Sequence, residues 1–195
     1  MVVIKSKVRE EIVSVARKVF TRNGFKKTTM DQIAEATGMG KSSIYYYFPG
    51  KEEIFKAVVL KEAQELKKRL DKIVLTSDSP LERLKDYIFF RLNHVRTLGN
   101  FYAALSEESL GQMEFIHKIR RKFEQDELEM LKGILEEGMR QGIFQLSSAS
   151  VGSIAILTMM KGLELPLLLD EKHKTDRREQ LDDLIRVLFY GILKR

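Results

Sequence analysis

Residues 38–53, GMGKSSIYYYFPGKEE, set two glycines and a lysine ahead of two serines and three consecutive tyrosines. Hydroxyls, phenols and an ammonium crowded into seven residues make a set of hydrogen-bonding groups suited to a base-bearing polyanion. Phenols reach phosphates or thymine methyls, and a lysine donates to guanine or phosphate. A single tyrosine is more often core with its phenol tip in water, but three in a row cannot all point inward.

The segment GMGKS resembles the tail of a phosphate-binding loop. That loop needs a glycine five residues before Gly40, where Glu35 stands, and a preceding strand, where the residues read as helix. Other chemistries fall to the inventory. Cysteine is absent, which excludes disulfides, thiolate metal sites and cysteine nucleophiles and suits a reducing compartment. His94, His117 and His173 are far apart, and neither a serine elbow nor a dinucleotide-binding glycine pattern occurs. We expect no catalytic residue, no metal ligand and no cofactor, and a helical-bundle enzyme is the least favoured function.

The formal charge is +6, and all of the excess is N-terminal: residues 1–51 hold 10 Lys/Arg against 4 Asp/Glu, and the remaining 24 and 24 cancel. That asymmetry favours a nucleic-acid partner. The opening MVVIKSKVREE has no apolar stretch of signal-peptide length, and the most apolar run, 151–169, is interrupted by Lys161, Glu164 and Pro166. The run reads as a buried helix and not a membrane span, and the expected location is the cytoplasm.

The elements that must position the tyrosines are helices. Few strand-like alternations occur, only three prolines are present, and Leu/Glu/Lys/Ala stretches dominate. Val8, Ile12, Val15, Ala16, Val19 and Phe20 form one apolar stripe of a first helix, which should stop at Asn23-Gly24. Thr29 with Gln32 three residues on has capping-box spacing, predicting a second helix over about 30–37 that ends at Gly38-Met39-Gly40. A third, about 41–48, closes at Pro49-Gly50. Two short helices joined by a glycine turn make a helix-turn-helix pattern. Longer helices are expected near 51–73, 80–99, 101–110, 113–141, 147–170 and 176–194. The fold class is therefore all-α with about nine helices, divided into a domain over 1–50 and a larger helical one over 51–195.

At about 100° per residue, Ile44 and Phe48 share the inward side of the third helix, and Ser42 and Tyr46 lie nearly opposite. Ser43 and Tyr45 occupy the flanks, with Lys41 and Tyr47 on the shoulders. Most of the rings and hydroxyls thus face outward together, as a helix lying in a DNA major groove requires.

The stretch FTRNGFKKTTMDQIAEATGMGKSSIYYYFPGKEEIF, residues 20–55, resembles the N-terminal DNA-binding domain of the tetracycline-repressor (TetR) family. The resemblance is carried by Phe20, Gly24 and Phe25, by Thr28-Thr29, Ile33-Ala34 and Gly38, and by Ile44-Tyr45 with Phe48 and Lys51-Glu52. Gly40 departs from the usual serine-like cap, and Gly50 from the polar residue that often precedes the lysine. The resemblance implies base and phosphate contacts from Lys41, Ser42, Ser43 and Tyr45, phosphate contacts from Tyr47 and Lys51, and a backbone contact from Thr29; geometry adds Tyr46. It also implies a homodimer on a palindromic operator in double-stranded DNA and a C-terminal half that holds a small inducer.

In that half, Leu181, Leu184, Ile185, Leu188 and Ile192 form a stripe, and with Ile154 and Leu157 on the preceding apolar helix they are the candidate dimer interface. Packing within one chain explains such stripes equally well; the resemblance favours pairing of the last two helices across a two-fold axis. Candidate ligand-lining residues are Phe89, Phe90, His94, Phe101, Tyr102, Phe115, His117, Met130, Met159, Met160 and Lys161, aromatic and flexible side chains of the kind that line apolar cavities. Lys161 and Glu164, three apart, can satisfy each other, and Arg91, His94 or Lys161 is a candidate anchor for an acidic head group. The leading function is a dimeric repressor released from DNA by a small lipophilic ligand. The alternative is a regulator or chromosome-organising protein of the same fold controlled by a protein partner.

Overall fold

The computed structural model describes residues 2–76, 79–93, 99–100, 114–169 and 186. The fold is all-α, with seven helices among these residues: α1 (Val2–Lys27), α2 (Met30–Thr37), α3 (Lys41–Tyr47), α4 (Lys51–Thr76), α5 (Pro80–Asn93), α6 (Glu114–Arg140) and α7 (Ala149–Leu169). The helices expected over 101–110 and 176–194 lie outside the described residues. The chain divides into two compact units, 1–65 with 98–120, and 66–97 with 121–195. Two of the boundaries fall inside α4 and α6.

In the first unit the inward stripe of α1 (Ile12, Ala16, Phe20) meets Ile33 of α2, Ile44 and Phe48 at α3, and Ile54, Phe55, Val58 and Val59 of α4, all buried. Phe20, Phe25 and Phe55 form a ring cluster, with centroids 5.1 Å apart for Phe20–Phe55 and 4.8 Å for Phe25–Phe55. Full burial of each such side chain contributes about 1.5–3 kcal/mol. α1 breaks at Gly24, whose φ of 75° only glycine adopts without strain. That break turns Phe25 back onto the cluster.

A polar network sits in the same unit. Arg17 donates to Glu62 (2.8 Å) and Glu65 (2.9 Å), and the Asn100 amide donates to the Arg17 carbonyl, the Thr21 hydroxyl and Glu62. Glu62 and Asn100 are buried, so these bonds supply the compensation that burial demands.

The second unit packs Leu66 and Leu70 of α4, Leu84 and Ile88 of α5, Leu131, Ile134 and Leu135 of α6, and Ile156 and Met160 of α7. Its centre holds a buried ion pair: Arg91 Nε donates to Glu127 Oε1 at 2.7 Å, and the Tyr87 hydroxyl donates to the same oxygen at 2.7 Å. The stretch EEGMRQGIF (136–144) ends α6. Gly142 takes φ of 70°, and the Ile143 and Phe144 N–H groups return to the Gly138 carbonyl. Phe144 then lies against Gly138, in the space that a β-carbon there would fill.

Candidate nucleic-acid interface

α2 begins at a complete capping box. Thr29 is the N-cap, its hydroxyl accepts from Gln32 N–H (3.3 Å), and Gln32 Oε1 accepts from Thr29 N–H (3.0 Å). α2 ends at Gly38, left-handed with φ 67°, its N–H directed to the Ala34 and Glu35 carbonyls. This two-residue change of direction starts α3 at Gly40, which caps without a side chain, as its residue type dictates.

α3 turns inward on Ile44 and its cap residue Phe48, neither with any exposed surface. The remaining side chains face out: Lys41, Ser42 and Ser43 are exposed, Tyr45 is 44% and Tyr46 68% exposed, and Tyr47 is half-buried. The Tyr46 and Tyr47 rings meet edge to face, centroids 5.1 Å apart. Removing the anchor, as in Ile44→Ala, would cost about 2–5 kcal/mol and release the whole array.

Two cations on α1 hold this array, and sequence reasoning missed both. Arg9 donates from Nη1 to the Tyr47 carbonyl (3.1 Å) and stacks on the Phe48 ring at 4.1 Å, tying the end of α3 to α1 and complementing its negative dipole end. Lys5 Nζ lies 4.8 Å from the Tyr46 ring centroid. A signal existed for Arg9, since it falls in register with Val13, Ala16 and Phe20, where a stripe residue is expected.

The lysines differ in their engagement. Lys41 forms a surface ion pair with Asp31, Nζ to Oδ1 at 2.8 Å, and the hydrogen bond and charge of Asp31 raise its pKa above the ordinary lysine value. Lys51 directs its ammonium at three main-chain carbonyls, those of Phe25 (3.0 Å), Lys26 (3.2 Å) and Thr28 (2.9 Å), and lies over the Phe25 ring at 4.6 Å. An ammonium has three donors, and here each has an internal acceptor. In this arrangement Lys51 clamps the start of α4 to the α1–α2 connection.

The remaining candidates scatter. Phe89 and Met159 are partly exposed, His117 is exposed, Phe90, Phe115 and Met130 are half-buried, and Met160 is buried; His94, Phe101 and Tyr102 lie outside the described residues. Lys161 pairs with Glu124 of α6 at 2.7 Å. Arg91 is bound by Glu127, so neither cation stands ready for an acidic head group. Of the dimer candidates, Ile154 is 55% exposed and Leu157 is buried in its own unit; Leu181, Leu184, Ile185, Leu188 and Ile192 lie outside the described residues. Among the described residues no three metal-ligating side chains converge. Glu114 and His117 are three apart on α6, but Glu114 is paired with Lys118.

A short outward-facing helix, set by a glycine turn behind a capped helix and anchored by two apolar side chains, is a helix-turn-helix DNA-binding head. Residues 12–58 match the bacterial regulatory proteins of the tetR family. The chain is 30% identical over 142 residues, 70% of its length and 67% of the other's, to the HTH-type transcriptional repressor KstR2 of Mycolicibacterium smegmatis. It is 28% identical to the uncharacterized HTH-type transcriptional regulator YhgD of Bacillus subtilis, over 76% of this chain and 78% of that one. Among solved structures, a transcriptional regulator from Cytophaga hutchinsonii superposes with a TM-score of 0.77 at 28% identity, covering 95% of this chain and 98% of that one. The chain belongs to the TetR family and is a DNA-binding transcriptional regulator, not an enzyme. Among the described residues no helix is long and apolar enough to cross a membrane.

Proposed function

We propose that the protein is a homodimeric repressor that binds a palindromic operator through α3 and is released by a small lipophilic ligand held in the second unit. The observation that carries this reading is the outward array on α3: Ser42, Tyr45 and Tyr46 exposed above a fully buried Ile44 and Phe48. Burial does not account for rings held in water, and contact with DNA does. In this reading Lys41, Ser42, Ser43 and Tyr45 meet base edges and nearby phosphates, Thr29 and Tyr47 meet the backbone, and residues 1–50 act as the reading domain.

Dimerisation is supported by α7. Gly152, Ser153, Ile156, Leu157 and Met160 pack inward, and Val151, Ile154 and Met159 form an exposed apolar stripe about 180° away. The proposed dimer pairs isologously through this stripe, and two recognition helices on a palindromic operator lie about one DNA turn, ~34 Å, apart. The ligand reading rests on Phe90, Met130 and Met160 in the unit that holds Arg91 and Glu127. Because that ion pair is already balanced, the ligand we propose is a neutral lipophile and not an acid.

The test is titration of the wild-type chain with a duplex selected from random sequence and with a scrambled one, across a salt series. A palindromic selected site, a steep fall of affinity with salt and a preference of at least about a thousandfold for the selected duplex support the reading. Equal affinity for both duplexes would refute it. Tyr45→Ala should lose the preference and keep the dimer, and native mass spectrometry of the purified protein should show the retained ligand.

A further inference from the structure

Beside α3, toward α1, lies an open groove of about 420 Å³ lined by Val8, Met39, Ser42, Ser43, Tyr46 and Tyr47. Its apolar residues, Val8 and Met39, are half-buried, and its hydroxyl-bearing residues are exposed or half-buried. Lys5, one turn before Val8 on α1, stands beside it with its ammonium on the Tyr46 ring. A base-reading helix does not need this second concavity. We propose that the groove seats the sugar–phosphate backbone of one DNA strand, with Lys5 as the cation that neutralises its phosphate. This inference rests on the DNA-binding reading above and extends it to a site on α1.

Charge and shape select the occupant. Lys41 has its charge offset by Asp31 at 2.8 Å, whereas Lys5 rests on a neutral ring. A cation–π contact holds an ammonium in place without cancelling its charge. Of the carboxylates on the same stretch of α1, Glu10 stands roughly 140° round from Lys5 and accepts from Ser6 at 3.3 Å, while Glu11 is roughly 120° round from Lys5 on the side of Val8, one turn beyond it. No carboxylate is among the groove's lining residues, and Lys5 stands at Tyr46 within a segment, residues 1–51, that carries 10 Lys/Arg against 4 Asp/Glu. Apolar Val8 and Met39 suit deoxyribose, and the hydroxyls of Ser42, Ser43 and the two phenols suit phosphate oxygens.

The consequence is a division of α3 into two working sides. Lys41 and Tyr45 share the side toward α2, where Lys41 meets Asp31, and would read bases. Tyr46 and Tyr47 share the side toward α1 and hold backbone, with Ser43 between them reaching the nearby phosphate. Losses on the two sides then differ in kind: one erases sequence preference, and the other weakens every duplex alike.

The experiment uses the full chain as wild type, Lys5→Gln and Lys5→Arg. The probes are a selected duplex of about 30 base pairs, enough for two half-sites a turn apart, and a scrambled duplex of the same composition, each titrated across a KCl series by fluorescence anisotropy. Lys5→Gln should flatten the slope of log affinity against log salt by about 0.9 per head, which weakens both duplexes by about eightfold per head at 0.1 M salt. The ratio between the duplexes should stay constant, and Lys5→Arg should behave as wild type. Lys5 is exposed, so unchanged melting verifies folding. An unchanged slope in Lys5→Gln, or a loss confined to the selected duplex, overturns the inference while leaving the regulator reading intact. A wild-type chain that treats both duplexes alike overturns both.

Discussion

Replacing Lys51 by methionine separates a clamp from a DNA contact. The methionine keeps an apolar stem of similar length and removes the ammonium, so the Phe25, Lys26 and Thr28 carbonyls lose their common donor. A hydrogen bond involving a charged group contributes about 1.5–3 kcal/mol. The bond to Lys26 lies at the surface, where water replaces it, while those to Phe25 and Thr28 are partly buried. Taking the lower figure for each of the two and little from the 4.6 Å ring contact gives a loss of about 3 kcal/mol. For a chain of this size that lowers the melting temperature by about 6–12 °C. Thermal unfolding followed by circular dichroism reads the first effect, and DNA titration across salt reads the second. A clamp leaves the salt slope of the folded variant unchanged, because no phosphate partner has gone. Unaltered melting together with a slope flatter by about 0.9 would refute the reasoning and mark Lys51 as a phosphate contact.

Three further outcomes follow from the second unit. Gly138→Ala drives a methyl into the Phe144 ring and should cost about 1–3 kcal/mol in urea unfolding, with recovery when Phe144→Leu is added. Glu127→Gln strips the charge that Arg91 and Tyr87 both address, and should lose about 3–5 kcal/mol; an Arg91→Met/Glu127→Leu pair should be more stable than either single variant. The Arg83 guanidinium, by hydrogen bond and then by charge, holds the Glu137 carboxyl below the usual glutamate range. Such a group adds stability above its unfolded pKa and loses it as pH falls through the lower folded value, so Glu137→Gln should flatten the acid limb of a melting-temperature profile.

The DNA-binding head was legible because its signals are local. Thr29 with Gln32, Gly38 and the spacing of Ile44 to Phe48 each act within a turn or two, and the structure realises all three. The array of side chains on α3 follows from helical periodicity alone. What escaped is what arrives from far along the chain: Arg9 reaches Tyr47 across 38 positions, and Lys51 reaches Phe25 across 26. Nothing at position 51 separates a lysine aimed at a phosphate from one aimed at carbonyls until the α1–α2 connection is folded beneath it. The same holds for Lys161, whose partner Glu124 lies on α6. The ligand candidates rested on residue type only, and aromatic or methionine character does not say which side chain faces a cavity.

The exposed stripe on α7 bears on how many copies a cell must hold. In the proposed pair, two heads grip one site, so occupancy at low abundance rises with the square of the protomer concentration, whereas a lone head would follow it linearly. Under that proposal, substituting Ile154 by a charged residue would shift the abundance at which the DNA site fills, and soften the response, without altering a single atom that touches a base.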